Sequence, residues 1–317
     1  MNAAMNAMER YLAPTSLVQA LAALCDGGGA TVLAGGTDLM PQMRAGRVQP
    51  ARTLLNIRHV PGLAAIEVDA GALRLGALTT MDMLLTHALV RDHAPLLAQA
   101  ADHFASDQIR NVATLGGNVC NASPAGDTLT PLLALDAEVE LASLAVDGSV
   151  RVRRLPVNGF FTGPGRTLRE AQELVTAVRV PLSANGQVVR FYKTGTRPAL
   201  DIATISIAFA ARKDEAGRLH GVRLALGAVG PTPLRARRTE ALLEGAVLDA
   251  TLAAQAASSA ADEATPIDDV RATAWYRKEL VRNMTRRMLD DVAETAGPPQ
   301  GRTPPWGAGA QRQRGST

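Results

Sequence analysis

No segment constrains this chain more than Thr114-Leu115-Gly116-Gly117-Asn118-Val119-Cys120-Asn121-Ala122-Ser123-Pro124-Ala125-Gly126-Asp127. Its glycines lack a Cβ, so the backbone can turn sharply and be approached closely. Ser123-Pro124 reads as a helix start, with Ser as N-cap and Pro at the first helical position. Leu129, Leu132, Leu133 and Leu135 follow as that helix's apolar residues. A helix start carries unpaired N–H groups and the positive end of the dipole, which together favour a phosphate oxygen. Asn118, Asn121 and Ser123 supply neutral donors, and Asp127 an acceptor for ribose or adenine groups. The same residues also suit a capped loop whose polar groups satisfy one another.

A second glycine loop, Ala34-Gly35-Gly36-Thr37-Asp38-Leu39, follows the short apolar strand Thr31–Ala34. Successive N–H groups in such a loop form a concave anion site, and Thr37 adds a hydroxyl. Paired glycines are equally at home in a plain tight turn, so this loop alone decides nothing. Two such loops in one chain point to a dinucleotide. The third segment is Tyr192-Lys193-Thr194-Gly195-Thr196-Arg197. The chain has three lysines, Lys193, Lys213 and Lys278, so Lys193 at the end of an apolar strand stands out. A cation there would stabilise negative charge on a reduced flavin ring; a surface hairpin with two solvated cations fits the pattern equally well.

Known nucleotide and hydrolase signatures are missing. There is no G-x-G-x-x-G after a strand, no G-x-x-x-x-G-K-[ST], no G-x-S-x-G and no H-E-x-x-H. Cys25 and Cys120 are the only cysteines, too few to ligate an iron–sulfur cluster. The formal charge of +3 is carried by Arg302, Arg312 and Arg314 in the terminal tail, leaving a neutral body without a footprint for nucleic acid. The N-terminus lacks the basic and apolar regions of a secretory signal, and no apolar run reaches the ~20 residues that span a bilayer. A cytoplasmic protein with no membrane span is expected.

The 317 residues suffice for two or three domains. Periodicity predicts helices at Thr15–Cys25, capped by Thr15 or Ser16, after Thr80, and at Pro95–His103. Strands are expected at Arg52–Ile57, Leu73–Leu78, Ala137–Ala142 and Ser149–Arg153. The texture changes near Leu174–Pro181, and a turn at Ser183–Gly186 marks a domain boundary. Beyond it come strands Val188–Tyr192, Ile202–Ala211 and Val222–Val229, then helices near Ala236–Leu243 and Leu252–Ala261. A long helix over roughly Val270–Glu294 places Trp275, Leu280, Met284, Met288 and Val292 on or near one face. The tail from Gly297 to Thr317 is expected to be disordered and basic.

Six segments in this order resemble one known family: AGGTDL at 34–39, QIRNVATLGGNVCNASPAGDTLTPLLAL at 108–135, FFTGPGRTL at 160–168, ELVTAVRVP at 173–181, FYKTGTRPALDIATISIAFA at 191–210 and WYRKELVRNMTRRML at 275–289. The chain resembles the medium, FAD-binding subunit of the molybdenum hydroxylases, the group of xanthine dehydrogenase, aerobic carbon monoxide dehydrogenase and 4-hydroxybenzoyl-CoA reductase. The cysteine-rich insert of the last is absent. The resemblance implies an α+β chain: a two-part FAD-binding domain of the vanillyl-alcohol-oxidase (PCMH) type over 1–180, with parts at about 1–57 and 58–180. A smaller α+β domain over 186–294 follows. It also implies that Val32, Leu33, Ala34, Gly35, Gly36, Thr37, Asp38, Leu39, Phe104, Thr114, Leu115, Gly116, Gly117, Asn118, Asp127, Val175 and Lys193 line the flavin site. Asn121 and Ser123 are expected as further contacts. No residue is expected to act as a catalytic acid or base, and none to bind metal. The implied role is electron transfer from 2Fe–2S clusters on a small partner subunit to an external acceptor. The molybdenum cofactor would sit on a large subunit, in a dimer of heterotrimers. A stand-alone FAD-dependent oxidoreductase is the alternative.

Overall fold

The computed structural model describes residues 8–26, 29–182, 187–197 and 199–294; the expected turn at Ser183–Gly186 and the basic tail lie outside them. The chain begins with a small parallel sheet. Strand β1 (Arg10–Leu12) leads to α1 (Leu17–Cys25), β2 (Ala30–Leu33), α2 (Leu39–Arg44) and β3 (Thr53–Asn56), in the strand order β1-β3-β2. Of the two caps considered for α1, Ser16 is the one used: its hydroxyl accepts from Gln19 N–H. Ala20, Leu21 and Leu24 turn inward onto Leu55 and Ile57, which is why this short βαβ unit holds together.

A five-stranded antiparallel sheet follows. Strands β4 (Ile66–Asp69) and β5 (Ala72–Gly76) form a hairpin, and a run of helices separates them from the other three. These helices are α3 (Met81–Thr86), α4 (Ala88–His93), α5 (Pro95–Asp102), α6 (Asp107–Arg110), α7 (Leu115–Asn121) and α8 (Leu129–Ala134). Then come β6 (Glu138–Leu144), β7 (Val150–Pro156), the small hairpin β8 (Phe161–Gly163) with β9 (Arg166–Thr167), and β10 (Leu174–Pro181). The sheet order is β4-β5-β10-β6-β7. The textural change near Leu174 is therefore the last strand of this sheet, paired centrally with β5 and β6.

The last unit is a four-stranded antiparallel sheet, β11 (Gln187–Thr194), β12 (Ile205–Lys213), β13 (Leu219–Gly227) and β14 (Leu234–Arg235), with α9 (Arg237–Leu243), α10 (Ala250–Glu263) and α11 (Ala274–Glu294). One face of the sheet, carrying Ile207, Phe209, Leu224 and Leu226, packs with these helices. Val189, Phe191, Ala208, Ala210 and Ala225 join the core built around α5, α7 and α8 instead. Both faces of the sheet are covered, so β12 reads as one unbroken buried run from Ile205 to Ala211.

Three expectations need correcting. The Gly116-Gly117 stretch is not a loop: it lies in α7, anchored by buried Leu115 and Val119 and capped by Thr114. Ser123-Pro124 does not begin a helix. Ala122 ends α7 in the left-handed region (φ 46°), the Ser123 hydroxyl accepts from Ala125 N–H (3.3 Å), and Ala228 N–H holds the Pro124 carbonyl (2.7 Å). The chain is thereby kept in a turn until α8 starts at Leu129. Finally, α11 begins at Ala274, and its buried face is Arg277, Val281, Thr285, Met288, Leu289 and Val292; Trp275 is 70% exposed.

Candidate functional site

The segment Val32–Leu39 runs from the end of β2 into α2. Gly36 has φ +72°, a conformation that glycine adopts freely. Among the described residues, the backbone N–H groups of Gly35, Gly36, Thr37 and Asp38 have no hydrogen-bond acceptor within the protein. Four consecutive unpaired donors between a strand and a helix are the kind of N–H row from which anion-binding concavities are built. Asp38 is tied back to the Gln42 side chain (2.5 Å).

This row is brought onto the second segment by direct backbone packing. A Cβ on Gly35 would lie 1.9 Å from the Val112 carbonyl oxygen and 3.2 Å from Ala113 Cα. Gly35 is thus glycine because two backbone segments touch there, whatever binds nearby. Just beyond, Met81 N–H donates to the Ala113 carbonyl (3.0 Å), and Leu115 N–H to that of Thr79 (2.9 Å). Gly116 N–H donates to the Ala77 carbonyl (2.8 Å), and a Cβ on Gly116 would meet Ala77 Cβ at 2.7 Å. Gly117 N–H donates to Thr114 Oγ1 (3.1 Å). The first turn of α7 is therefore already satisfied inside the protein, and its free assets are exposed Gly117 and half-buried Asn118.

Asn118 Oδ1 accepts from the Thr128 hydroxyl (2.7 Å), which leaves its NH₂ group as a donor. That bond links α7 to the turn carrying Asp127. Asp127 Oδ2 lies 2.6 Å from Lys193 Nζ on β11, and the same ammonium donates to the His103 carbonyl (3.0 Å) at the end of α5. Lys193 is no surface cation: its side chain is 7% exposed and that of Asp127 9%. Burial pushes the Asp127 carboxyl up to about 6, against the pull of Lys193. Burial also lowers the His103 imidazole, with Asp102 opposing and Lys193 assisting.

The remaining predicted residues divide. Phe104 sits beside His103, half-buried against the main core. Asn121 is the last residue of α7 and half-buried. The Ser123 hydroxyl is engaged in its own turn. Leu115 is fully buried and Val175 nearly so, both in the main core, so their side chains serve packing. Val175 stands at a bulge in β10, after which the Thr176 carbonyl accepts from Ala77 N–H (2.9 Å). Sequence reasoning did not single out Ala77, Thr79, His103 or Thr128. They join the arrangement from separate elements through carbonyls and one hydroxyl, which leave no residue-type signal. A cleft of about 370 Å³ opens beside His103, lined by Ser106, Gln108, Arg110 and Leu200 among others.

The family model for the FAD binding domain in molybdopterin dehydrogenase matches residues 5–183. That for the CO dehydrogenase flavoprotein C-terminal domain matches residues 190–292. The xanthine dehydrogenase FAD-binding subunit of Escherichia coli O157:H7 is 34% identical over 90% of this chain and 97% of its own. The carbon monoxide dehydrogenase structure from Hydrogenophaga pseudoflava superposes with a TM-score of 0.83 at 33% identity, covering 88% of this chain and 95% of that one. Quinoline 2-oxidoreductase from Pseudomonas putida 86 gives 0.82 at 30%, covering 90% and 96%. The fold is accordingly an FAD-binding domain followed by a flavoprotein C-terminal domain. The chain belongs to the FAD-binding medium subunits of the molybdenum hydroxylases, and is an oxidoreductase subunit of that type. No helix among the described residues is long and apolar enough to cross a membrane.

Proposed function

We propose that this chain holds FAD between Val32–Leu39 and Thr114–Asp127, and relays electrons from 2Fe–2S clusters on a small partner subunit to an external acceptor. The observation that carries the reading is the row of four unpaired N–H groups from Gly35 to Asp38, packed onto the chain at Val112 and Ala113. In a member of this family, such a donor row suits the pyrophosphate of FAD. The donor set fits that group: neutral N–H groups, the Thr37 hydroxyl and the Asn118 amide on the phosphate side, with a buried cation, Lys193, further along.

Bound FAD supplies the redox chemistry, since it exchanges either one or two electrons. The protein residues bind and tune. Gly35 and Gly116 let backbone segments pack closely, while Gly36 and Gly117 leave their backbone open to the cofactor; Thr37, Thr114 and Asn118 orient donors; Leu33, Ala34, Leu39 and Phe104 supply apolar surface. Lys193 places positive charge where reduction adds negative charge. None of these groups is assigned to substrate chemistry, which belongs to a large molybdenum-containing subunit in this proposal. The complex would be a cytoplasmic dimer of heterotrimers, with the two-part FAD domain over 1–180 and the C-terminal domain over 186–294. Relatives named as medium chains and FAD-binding subunits support a multi-subunit setting.

Native purification tests this. The expected result is co-elution with two further chains and with FAD, iron and molybdenum. Substrate turnover by the isolated chain would favour a stand-alone flavoenzyme instead.

A further inference from the structure

Asp127 and Lys193 meet where three parts of the molecule join: the turn between α7 and α8, the end of β11, and the end of α5. Asp127 uses only one of its oxygens. Oδ2 faces Lys193 at 2.6 Å, whereas Oδ1 is buried and has no hydrogen-bond partner among the described residues. An ionised carboxylate oxygen held out of water without a donor is costly, and a proton on that oxygen removes the charge, which is the larger part of that cost. The charged and titratable groups around the pair are Lys193 on β11 and, at the end of α5, His103 and Asp102. Asn118 and Thr128 bond each other nearby and carry no charge.

Building on the FAD reading above, we propose that Asp127 is a redox-linked proton acceptor, taking one proton from water onto Oδ1 when negative charge arrives on the bound cofactor and returning it when that charge leaves. As the O–H bond at Asp127 Oδ1 forms, an O–H bond of a solvent hydronium ion breaks and leaves water; the reverse step returns the proton to water. The electrons come from the partner's clusters and go to the external acceptor, and the proton exchanges with water. Protonation also uncovers the Lys193 charge, which the carboxylate otherwise offsets, at the stage when a cation stabilises most. Burial has already moved this carboxyl to about 6, within reach of a neutral solution.

The test is the midpoint potential of the FAD-loaded protein between pH 5 and 8, for wild type, Asp127→Asn and His103→Gln. Wild type and His103→Gln are expected to take up extra protons on reduction, up to one per FAD, with the excess setting in near pH 6; Asp127→Asn lacks it. Loss of the excess in His103→Gln alone would move the role to the imidazole and overturn the assignment. Should Asp127→Asn lose FAD, the wild type still decides. Its reduced-minus-oxidised infrared spectrum is expected to gain a protonated-carboxyl band that shifts with carboxyl-¹³C aspartate, and absence of that band overturns the proposal. A preparation that binds no FAD brings down the parent reading as well. Full FAD occupancy with identical pH dependence in wild type and Asp127→Asn brings down this inference alone.

Discussion

Glycines that look alike in the sequence do different work in the structure. Gly35 has no room for a Cβ, because the Val112 carbonyl occupies that place. Gly117 is exposed, and an added Cβ would meet only the Thr114 hydroxyl, at 2.8 Å. Gly35→Ala should therefore destabilise the fold by about 3 kcal/mol, the cost of forcing backbones apart, read as a lowered denaturation midpoint. Gly117→Val should cost only about 1 kcal/mol, through the weakened Thr114 cap, yet abolish FAD retention. Normal flavin stoichiometry in that variant would show that the exposed face of α7 does not meet the cofactor. Asp127 predicts a pH effect. Its folded value of about 6 lies above the ordinary value of 3.8, so between those pH values the native state holds a proton that the unfolded chain has released. FAD-free protein should lose stability as pH rises through that window, by roughly 3 kcal/mol in the limit, and Asp127→Asn should flatten that slope in urea titrations. The contrast between Gly35 and Gly117 was not legible in the sequence, where both belong to a Gly-Gly pair. Telling them apart requires knowing which chain passes alongside.

At the level of elements, sequence patterns located most strands and helices, because amphipathic periodicity is set locally. Thr80 capping α3, with Met83 N–H donating to its hydroxyl, is legible from five residues. The 114–128 region was not, since its conformation is decided from outside. Buried Leu115 and Val119 draw α7 against the sheet, while Ala228 holds the Pro124 carbonyl from the other domain. Helix α11 shows the same limit. Its apolar spacing suggested a face containing Trp275, but a charged residue, Arg277, is the one that goes inside. Arg277 is 4% exposed and donates to the carbonyls of Thr204 (2.7 Å) and Ala228 (2.6 Å) and to both oxygens of Asp269 (2.8 Å each). Lysine cannot reproduce that fork. Arg277→Lys should destabilise the C-terminal unit by about 2 kcal/mol, whereas Trp275→Ala should change stability by less than about 0.5 kcal/mol; equal effects in thermal unfolding would contradict this reading of α11.

Across the whole molecule, the C-terminal sheet acts as a clamp on the candidate site. Lys193 reaches Asp127, the Thr130 and Ser206 hydroxyls approach within 3.4 Å, and Arg235 and Arg223 both pair with Asp136, on the turn after α8. At Gly227 a Cβ would lie 2.4 Å from Ser206 Oγ and 2.8 Å from Thr130 Cγ2, so the two units meet with no slack. Gly227→Val is expected to lower FAD occupancy although the residue lies outside every predicted contact; full occupancy with wild-type unfolding would show the interface to be tolerant. In the proposed function the chain holds a relay cofactor and does no substrate chemistry of its own. Anaerobic rapid mixing of the substrate with the native complex, and separately with the isolated FAD-loaded chain, tests it most directly. Flavin absorbance is expected to bleach in the complex, after the iron–sulfur signal changes, and to stay constant in the isolated chain. Bleaching of the isolated chain at the rate seen in the complex would contradict it.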